Sequence, residues 1–393
     1  MRSCAYRIKI MQPGAMERSG TGNMTDERFM EIALALAKKG MGRVNPNPMV
    51  GAVIAKEGKL IGQGFHERYG GPHAERNALR NCKENPEGAV LYVTLEPCCH
   101  YGKTPPCTEA IIKSGIKKVV TACSDPNPEV AGKGIDTLRT AGIEVVTGIL
   151  REECERLNEV FFHCIQKNTP FVVMKYAMTM DGKIAAVCGD SKWITGEEAR
   201  ENVHLDRGRY SSIMVGVRTV IKDNPLLTCR MSGGRNPIRI VCDTNLYTPL
   251  EAAVVELAGK AGQGKTIIAT SCKDKEKQEK FKQRGCEIIV LPKENGHIDL
   301  KLLMKELWAR GINSVFLEGG GTLNFSALQE GIVNKIQTYI APKILGGEKA
   351  KTPVEGMGAE RMADCIRLKN QRITRFGEDF LIESEVDDTC LPG

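Results

Sequence analysis

The sequence predicts two successive α/β domains, the first a three-layer α/β/α unit, and three observations carry that prediction. At 393 residues, and with roughly 150 residues per domain, the chain has room for two or three globular units. Short apolar runs alternate with helical apolar patterns through both halves, as a sheet covered by helices requires. Between the halves a charged stretch of helical periodicity, 151–165, gives way to Lys167-Asn168-Thr169-Pro170, where a proline disfavours continuation of the helix.

In the first half Phe29, Ile32, Ala33 and Leu36 recur at helical spacing. Thr25 suits the N-cap, with Asp26 and Glu27 at the positive end of the helix dipole, and Gly40 and Gly42 offer the stop. Strand-like runs follow at 49–55, 90–95 and 118–122, with helical patterns at 74–81 and 108–114. Two proline-rich loops, 45–48 and 125–128, are expected to hold extended, rigid backbone beside the strands. In the second half strands are expected at 171–177, 213–216, 238–242, 266–269, 287–291, 314–317, 335–341 and 380–383. The expected organisation is an N-terminal extension (1–23), a first domain (24–151), a linker helix (152–169), a second domain (170–386) and a C-terminal tail (387–393).

Composition excludes several classes. No stretch approaches the ~18 consecutive apolar residues of a membrane span. Fifty-five basic and 48 acidic residues leave +7, too little on this length to imply a nucleic-acid groove, though compatible with phosphorylated small ligands. Fifteen cysteines are diluted over a large core, which favours a reducing compartment, the cytoplasm.

The first chemical constellation is His73-Ala74-Glu75, then Glu96-Pro97-Cys98, then Thr104-Pro105-Pro106-Cys107. One imidazole and two thiolates suit a zinc site with an open fourth position. A carboxylate two residues from the histidine, Glu75, can shuttle the proton of an activated water. H-x-E followed by P-C and a second cysteine is the zinc deaminase signature. Its usual P-C-x-x-C is replaced here by eight intervening residues, so Cys99, His100 and Cys107 all compete for the third ligand position. The rigid Pro105-Pro106 favours Cys107, and the expected set is His73, Cys98 and Cys107.

These segments, with Asn45-Pro46-Asn47-Pro48-Met49-Val50-Gly51, Gly70-Gly71-Pro72 and Asp125-Pro126-Asn127-Pro128, resemble the deaminase domain of the bifunctional RibD family of riboflavin biosynthesis. The long cysteine spacing is normal in that family, and Cys99 stands where its pattern has serine. The resemblance implies a cytidine-deaminase-like fold and one zinc per chain. It also implies deamination of a 2,5-diamino-6-(phosphoribosylamino)pyrimidinone, with Asn47, His66, Lys103 and Asn127 contacting that substrate.

In the second half Val315-Phe316-Leu317-Glu318-Gly319-Gly320-Gly321-Thr322-Leu323 reads as a strand entering three glycines and a helix, a dinucleotide-type phosphate site. It is neither G-x-G-x-x-G nor a P-loop. With 178–185, 191–195, 215–220 and 223–228, it is similar to the RibD reductase domain, itself dihydrofolate-reductase-like. That similarity implies NADPH-dependent reduction of the ribosyl to a ribityl chain. Ala177, Trp193, Thr219, Asp223, Gly320, Gly321, Thr322, Leu323, Asn324, Phe325 and Ser326 would hold NADPH. Ser191, Arg207, Leu227, Arg230 and Glu318 would hold the substrate, the two arginines as phosphate anchors. Trp193 equally suits a core position. Lys175, at a strand end, either polarises the sugar oxygen or pairs with an acid. The resemblance further implies a homo-oligomer acting on a phosphorylated pyrimidine, without nucleic acid or membrane. The alternative, a nucleoside or tRNA deaminase with an unrelated C-terminal binding domain, calls for a basic, aromatic-rich channel, whereas aromatics are 5%.

Overall fold

The computed structural model describes residues 24–101, 105–127 and 130–387. The first sheet contains β1 (Gly51–Lys56), β2 (Lys59–Phe65), β3 (Val90–Val93), β4 (Lys118–Thr121) and β5 (Glu144–Thr147) in the order β2-β1-β3-β4-β5. β1 runs antiparallel to β2 and β3, and β3, β4 and β5 run parallel. Around it lie α1 (Asp26–Ala37), α2 (Ala74–Arg80), α3 (Cys107–Lys113), α4 (Lys133–Thr140) and α5 (Arg151–Leu157). Alternation along β1 makes the three layers. Ala52 and Ile54 pack with Ala74 and Ala78 of α2, Ile111 of α3 and Leu138 of α4. Val53 and Ala55 pack with Phe29 and Ala33 of α1 and Cys154 of α5, as a period of two dictates. Thr25 caps α1, accepting from the Arg28 amide at 3.3 Å.

β2 carries no alternating apolar signal because its glycines admit a helix. A Cβ on Gly64 would lie 2.4 Å from the Ala78 amide nitrogen, and one on Gly62 2.7 Å from the Ala78 carbonyl oxygen. The 45–48 loop differs from the expected extended backbone: it turns tightly, the Asn47 amide donating to the Val44 carbonyl at 2.9 Å. At Asp125 a second turn forms, its carboxylate accepting from the Asn127 amide at 2.9 Å.

The linker region holds two helices where one is expected: α5 ends at Leu157 and α6 (Glu159–Lys167) begins two residues on. Asn158 breaks the helix because its amide serves another chain segment. Its Oδ1 accepts from the Met49 amide at 2.8 Å and its Nδ2 donates to the Met49 carbonyl at 2.9 Å.

The second sheet contains β6 (Phe171–Thr179), β7 (Ser212–Gly216), β8 (Ile238–Cys242), β9 (Thr266–Thr270) and β10 (Glu287–Val290). A small hairpin, β11 (Lys293–Glu294) and β12 (His297–Ile298), stands apart. β13 (Ser314–Leu317), β14 (Lys335–Ala341), β15 (Leu368–Phe376) and β16 (Asp379–Val386) complete the order β10-β9-β8-β7-β13-β6-β14-β16-β15. All pairs are parallel except β14 with β16 and β16 with β15. α7 (Glu197–Arg209), α8 (Val217–Asp223), α9 (Ala253–Glu256) and α10 (Lys275–Gln283) cover one face, and α11 (Leu300–Ala309) and α12 (Gly321–Gln329) the other. β15 is exposed along nearly its whole length and charged, so no apolar pattern marks it.

α6 joins the two units. Glu159 pairs with Arg209 (3.4 Å) and Lys335 (3.1 Å), and the Cys164 thiol donates to the Asn313 carbonyl at 3.2 Å. Asn313, just before β13, also exchanges hydrogen bonds with Asn45.

Candidate active sites

His73 is the N-cap residue of α2, and Cys107 opens α3 after the proline pair. Arg76 steadies that pair, donating to the Pro105 and Pro106 carbonyls at 3.3 and 3.0 Å. Cys98 follows β3 and accepts from the Cys107 amide at 3.3 Å. His73 Nδ1 lies 3.4 Å from each sulfur. His73, Cys98 and Cys107 therefore offer ligand atoms within 4.8 Å of one another, a group that excludes Cys99 and His100. Hydrogen bonds from Cys107 and His73, working against burial, hold the Cys98 thiol well below its ordinary range. One imidazole nitrogen and two sulfurs in this compactness fit zinc.

Glu75, in the first turn of α2, is 3% exposed. Burial, with negative charge at Cys98, pushes its carboxyl up to about 7. It shares a cavity of about 360 Å³ with Asn47, His66, His73, Cys98 and Asn127. His66 Nδ1 lies 3.0 Å from the Pro72 carbonyl and can only donate to it, leaving Nε2, 3.1 Å from Asn47 Nδ2, to accept. Burial lowers its pKa, favouring that neutral tautomer. Lys103 lies outside the described residues.

Sequence reasoning missed two contributions here. Glu96 is buried and accepts four backbone amides, from Asp125, Gly132, Gly134 and Ile135, at 2.9 to 3.2 Å. It thereby fixes the loop bearing Asn127, and its place beside Pro97-Cys98 was the available signal. Phe161 and Ile165 of α6 also line the cavity, with no signal in a stretch that reads as a linker.

In the second unit a cavity of about 670 Å³ is lined by Ser191, Thr219, Asp223, Gly320, Gly321, Thr322, Leu323 and Ser326. Gly320, at φ 86°, holds a conformation that side chains disfavour. A Cβ on Gly320, the N-cap of α12, would lie 3.2 Å from Thr219 Oγ1, so the head of the helix presents bare backbone there. That cradle fits a dinucleotide phosphate. Asp243, Asn245, Tyr247 and Asn295 line the same cavity; the first three lie in an irregular loop after β8, and Asn295 is in the Asn295-Gly296 turn of the β11–β12 hairpin.

Other expected residues lie elsewhere. Ala177 packs beside the core. Trp193 is no core residue: it is 60% exposed, with the Arg200 guanidinium 4.6 Å from its ring centroid. Asn324 is buried and donates to the Pro353 carbonyl at 2.8 Å, and Phe325 presses on Gly356, where a Cβ would meet its ring at 2.3 Å. Arg207 binds both oxygens of Glu318, at 2.6 and 2.8 Å. Burial opposes ionisation of Glu318, but Arg207 and then Lys175 outweigh it and hold the carboxyl at about 2. Burial pushes the Lys175 ammonium down, against the attraction of Glu318. Leu227 is buried and Arg230 exposed; among the described residues Arg230 makes no ion pair.

Comparison with known proteins accords with both sites. The family described as the cytidine and deoxycytidylate deaminase zinc-binding region matches residues 23–123, and the RibD C-terminal domain matches 170–382. Riboflavin biosynthesis protein RibD of Actinobacillus pleuropneumoniae is 52% identical over 92% of this chain and 95% of its own. The solved structure of Acinetobacter baumannii RibD (form 1) has a TM-score of 0.81 at 37% identity, covering 92% of this chain and 99% of that one. A diaminohydroxyphosphoribosylaminopyrimidine deaminase/5-amino-6-(5-phosphoribosylamino)uracil reductase structure from Thermotoga maritima has a TM-score of 0.75 at 38% identity, with the same coverages. Fold and sites together define a bifunctional enzyme, a zinc-type deaminase followed by a reductase. The chain belongs to the RibD family of riboflavin biosynthesis. No helix among the described residues is long and apolar enough to cross a membrane.

Proposed function

We propose that the enzyme converts 2,5-diamino-6-(5-phosphoribosylamino)pyrimidin-4(3H)-one to 5-amino-6-(5-phosphoribosylamino)uracil, then reduces the ribosyl to a ribityl chain with NADPH. The carrying observation is a buried carboxyl, Glu75, in one cavity with His73 and Cys98, whose cluster Cys107 completes. Those three residues would hold one zinc per chain, which when bound supplies a Lewis acid lowering the pKa of water toward ~7.

Burial raises the Glu75 carboxyl above its ordinary value, which suits it to proton transfer. It can take a proton from water at one oxygen and return it to the departing amine, so that water and amino-pyrimidine become oxo-pyrimidine and ammonia. His66 fixes the Asn47 amide at the same wall, with Asn127 opposite on the loop held by Glu96. Lys103 belongs to this substrate set by resemblance.

In the second site the Gly320–Ser326 segment with Thr219 and Asp223 would bind NADPH, which supplies the hydride. Ala177 and Trp193, with Asn324 and Phe325 of that segment, belong to the NADPH set by resemblance. Ser191, Leu227 and Glu318 would bound the sugar, with Arg207 oriented by Glu318. Arg230, exposed and without an ion pair among the described residues, suits the phosphate. Lys175 would hold a proton at Nζ toward the sugar oxygen, next to Glu318. The same proposal includes a cytoplasmic location, supported by thirteen described cysteines all free, and a homo-oligomer, supported by the exposed edge strand β15.

The test supplies purified, zinc-loaded protein with the diaminopyrimidinone phosphate and NADPH, and follows ammonia and NADPH separately. Equimolar ammonia release and NADPH oxidation are expected. NADPH oxidation without ammonia, or neither signal, contradicts the proposal.

A further inference from the structure

Two side chains in the deaminase cavity come from beyond the segment matched as the zinc-binding region, which ends at residue 123. Phe161 and Ile165 stand four residues apart on α6, so they share one helix face. Both line the cavity with His73, Glu75 and Cys98. Both are only half-buried, and both give apolar surface to the cavity wall.

The helix that presents them is held from the other side by the reductase unit. Glu159, two residues before Phe161, pairs with Arg209 and Lys335. Cys164, next to Ile165, bonds the Asn313 carbonyl. The His163 ring meets Phe171 of β6 edge-on with centroids 5.4 Å apart. At its start Asn158 grips Met49, two residues beyond the Asn47 that also lines the cavity. An apolar wall anchored on both sides does not yield when a ligand enters.

Resting on the deaminase reading above, we propose that Phe161 and Ile165 are substrate-contacting specificity residues of the deaminase site, forming an apolar wall against a face of the pyrimidine ring. The cavity, about 360 Å³, lies near the small end of ligand sites, roughly 300–1,000 Å³. A heterocycle seated against His73 and Glu75 must meet its walls. A planar ring directs its polar groups through its edge and buries its faces against apolar or aromatic side chains. Asn47, His66 and Asn127 serve the edge, and α6 serves a face. The reductase unit thereby shapes the pocket of the first reaction.

The test uses the zinc-loaded full chain. Phe161→Ala and Ile165→Ala are each expected to raise the deaminase KM roughly tenfold with kcat within about threefold of wild type. Zinc content and the rate of reducing pre-deaminated substrate are expected to stay at wild-type values. Phe161→Leu, which keeps an apolar wall, recovers most of the loss. A purely structural role would instead lower thermal stability and both activities together, without the KM split, and that result overturns the inference. So does a KM within about twofold of wild type in both alanine variants, a change too small for a lost apolar contact. If Phe161→Ala does not fold, Ile165→Thr, which shortens the side chain and puts a hydroxyl in the apolar wall, carries the test by the same criterion. Wild-type protein that releases no ammonia would defeat the deaminase reading and this inference together, whereas wild-type release with unchanged variants defeats the inference alone.

Discussion

Glu318 and Arg207 are largely withdrawn from solvent together, their side chains 12% and 15% exposed, and removing either charge strands the other in a medium that solvates it poorly. Glu318→Gln is expected to lower unfolding free energy by about 3–5 kcal/mol, the usual effect of breaking a buried pair, read by urea unfolding at pH 7. The pH dependence has a fixed sign. The folded pKa, about 2, lies below the ordinary 4.5, so the pair's stabilisation is present above pH 4.5 and is lost as pH falls toward 2. The gap between wild type and variant should therefore narrow from pH 5 to pH 3; a constant gap contradicts the assignment. At the zinc cluster, Cys107→Ala is expected to remove the metal while Cys99→Ala leaves about one zinc per chain, by elemental analysis. The reverse pattern would move the third ligand to Cys99. The sequence made the His73, Cys98, Cys107 and Glu75 set legible because metal chemistry restricts residue types. It did not reveal that Arg207 is bound by Glu318, since an arginine's partner 111 residues away leaves no local trace.

β2 shows how an element's job hides its signal. Its glycines let α2, the carrier of His73 and Glu75, lie against the strand. Gly64→Ala would drive a Cβ to 2.4 Å from the Ala78 backbone nitrogen. It is expected to cost about 1–3 kcal/mol, as overpacking does, and to weaken zinc retention because α2 must shift. An unchanged melting temperature with full zinc occupancy would contradict that packing. The buried strands of the second sheet were legible from continuous apolar runs. β15 was not, because an exposed charged edge has no core face to imprint a pattern. The linker reads as one charged helix, but Asn158 spends its amide on Met49 and divides it in two.

Across the whole molecule, two sheets with separate cores carry two chemistries, and α6 bonds to both units. Length and alternation announced two α/β units, whereas their mutual placement depends on pairs such as Asn45 with Asn313 and Glu159 with Lys335, which composition cannot encode. On the proposed mechanism the buried Glu75 carboxyl drives the first reaction and has no part in the second. The most direct measurement follows ammonia release and NADPH oxidation separately in a Glu75→Gln variant given first the diaminopyrimidinone phosphate and then its deaminated product. Ammonia release is expected to fall by at least about 100-fold, the lower range for loss of a general acid–base group, while NADPH is oxidised at the wild-type rate with the deaminated product. Ammonia release at the wild-type rate, or an equal loss of both reactions, would contradict the account.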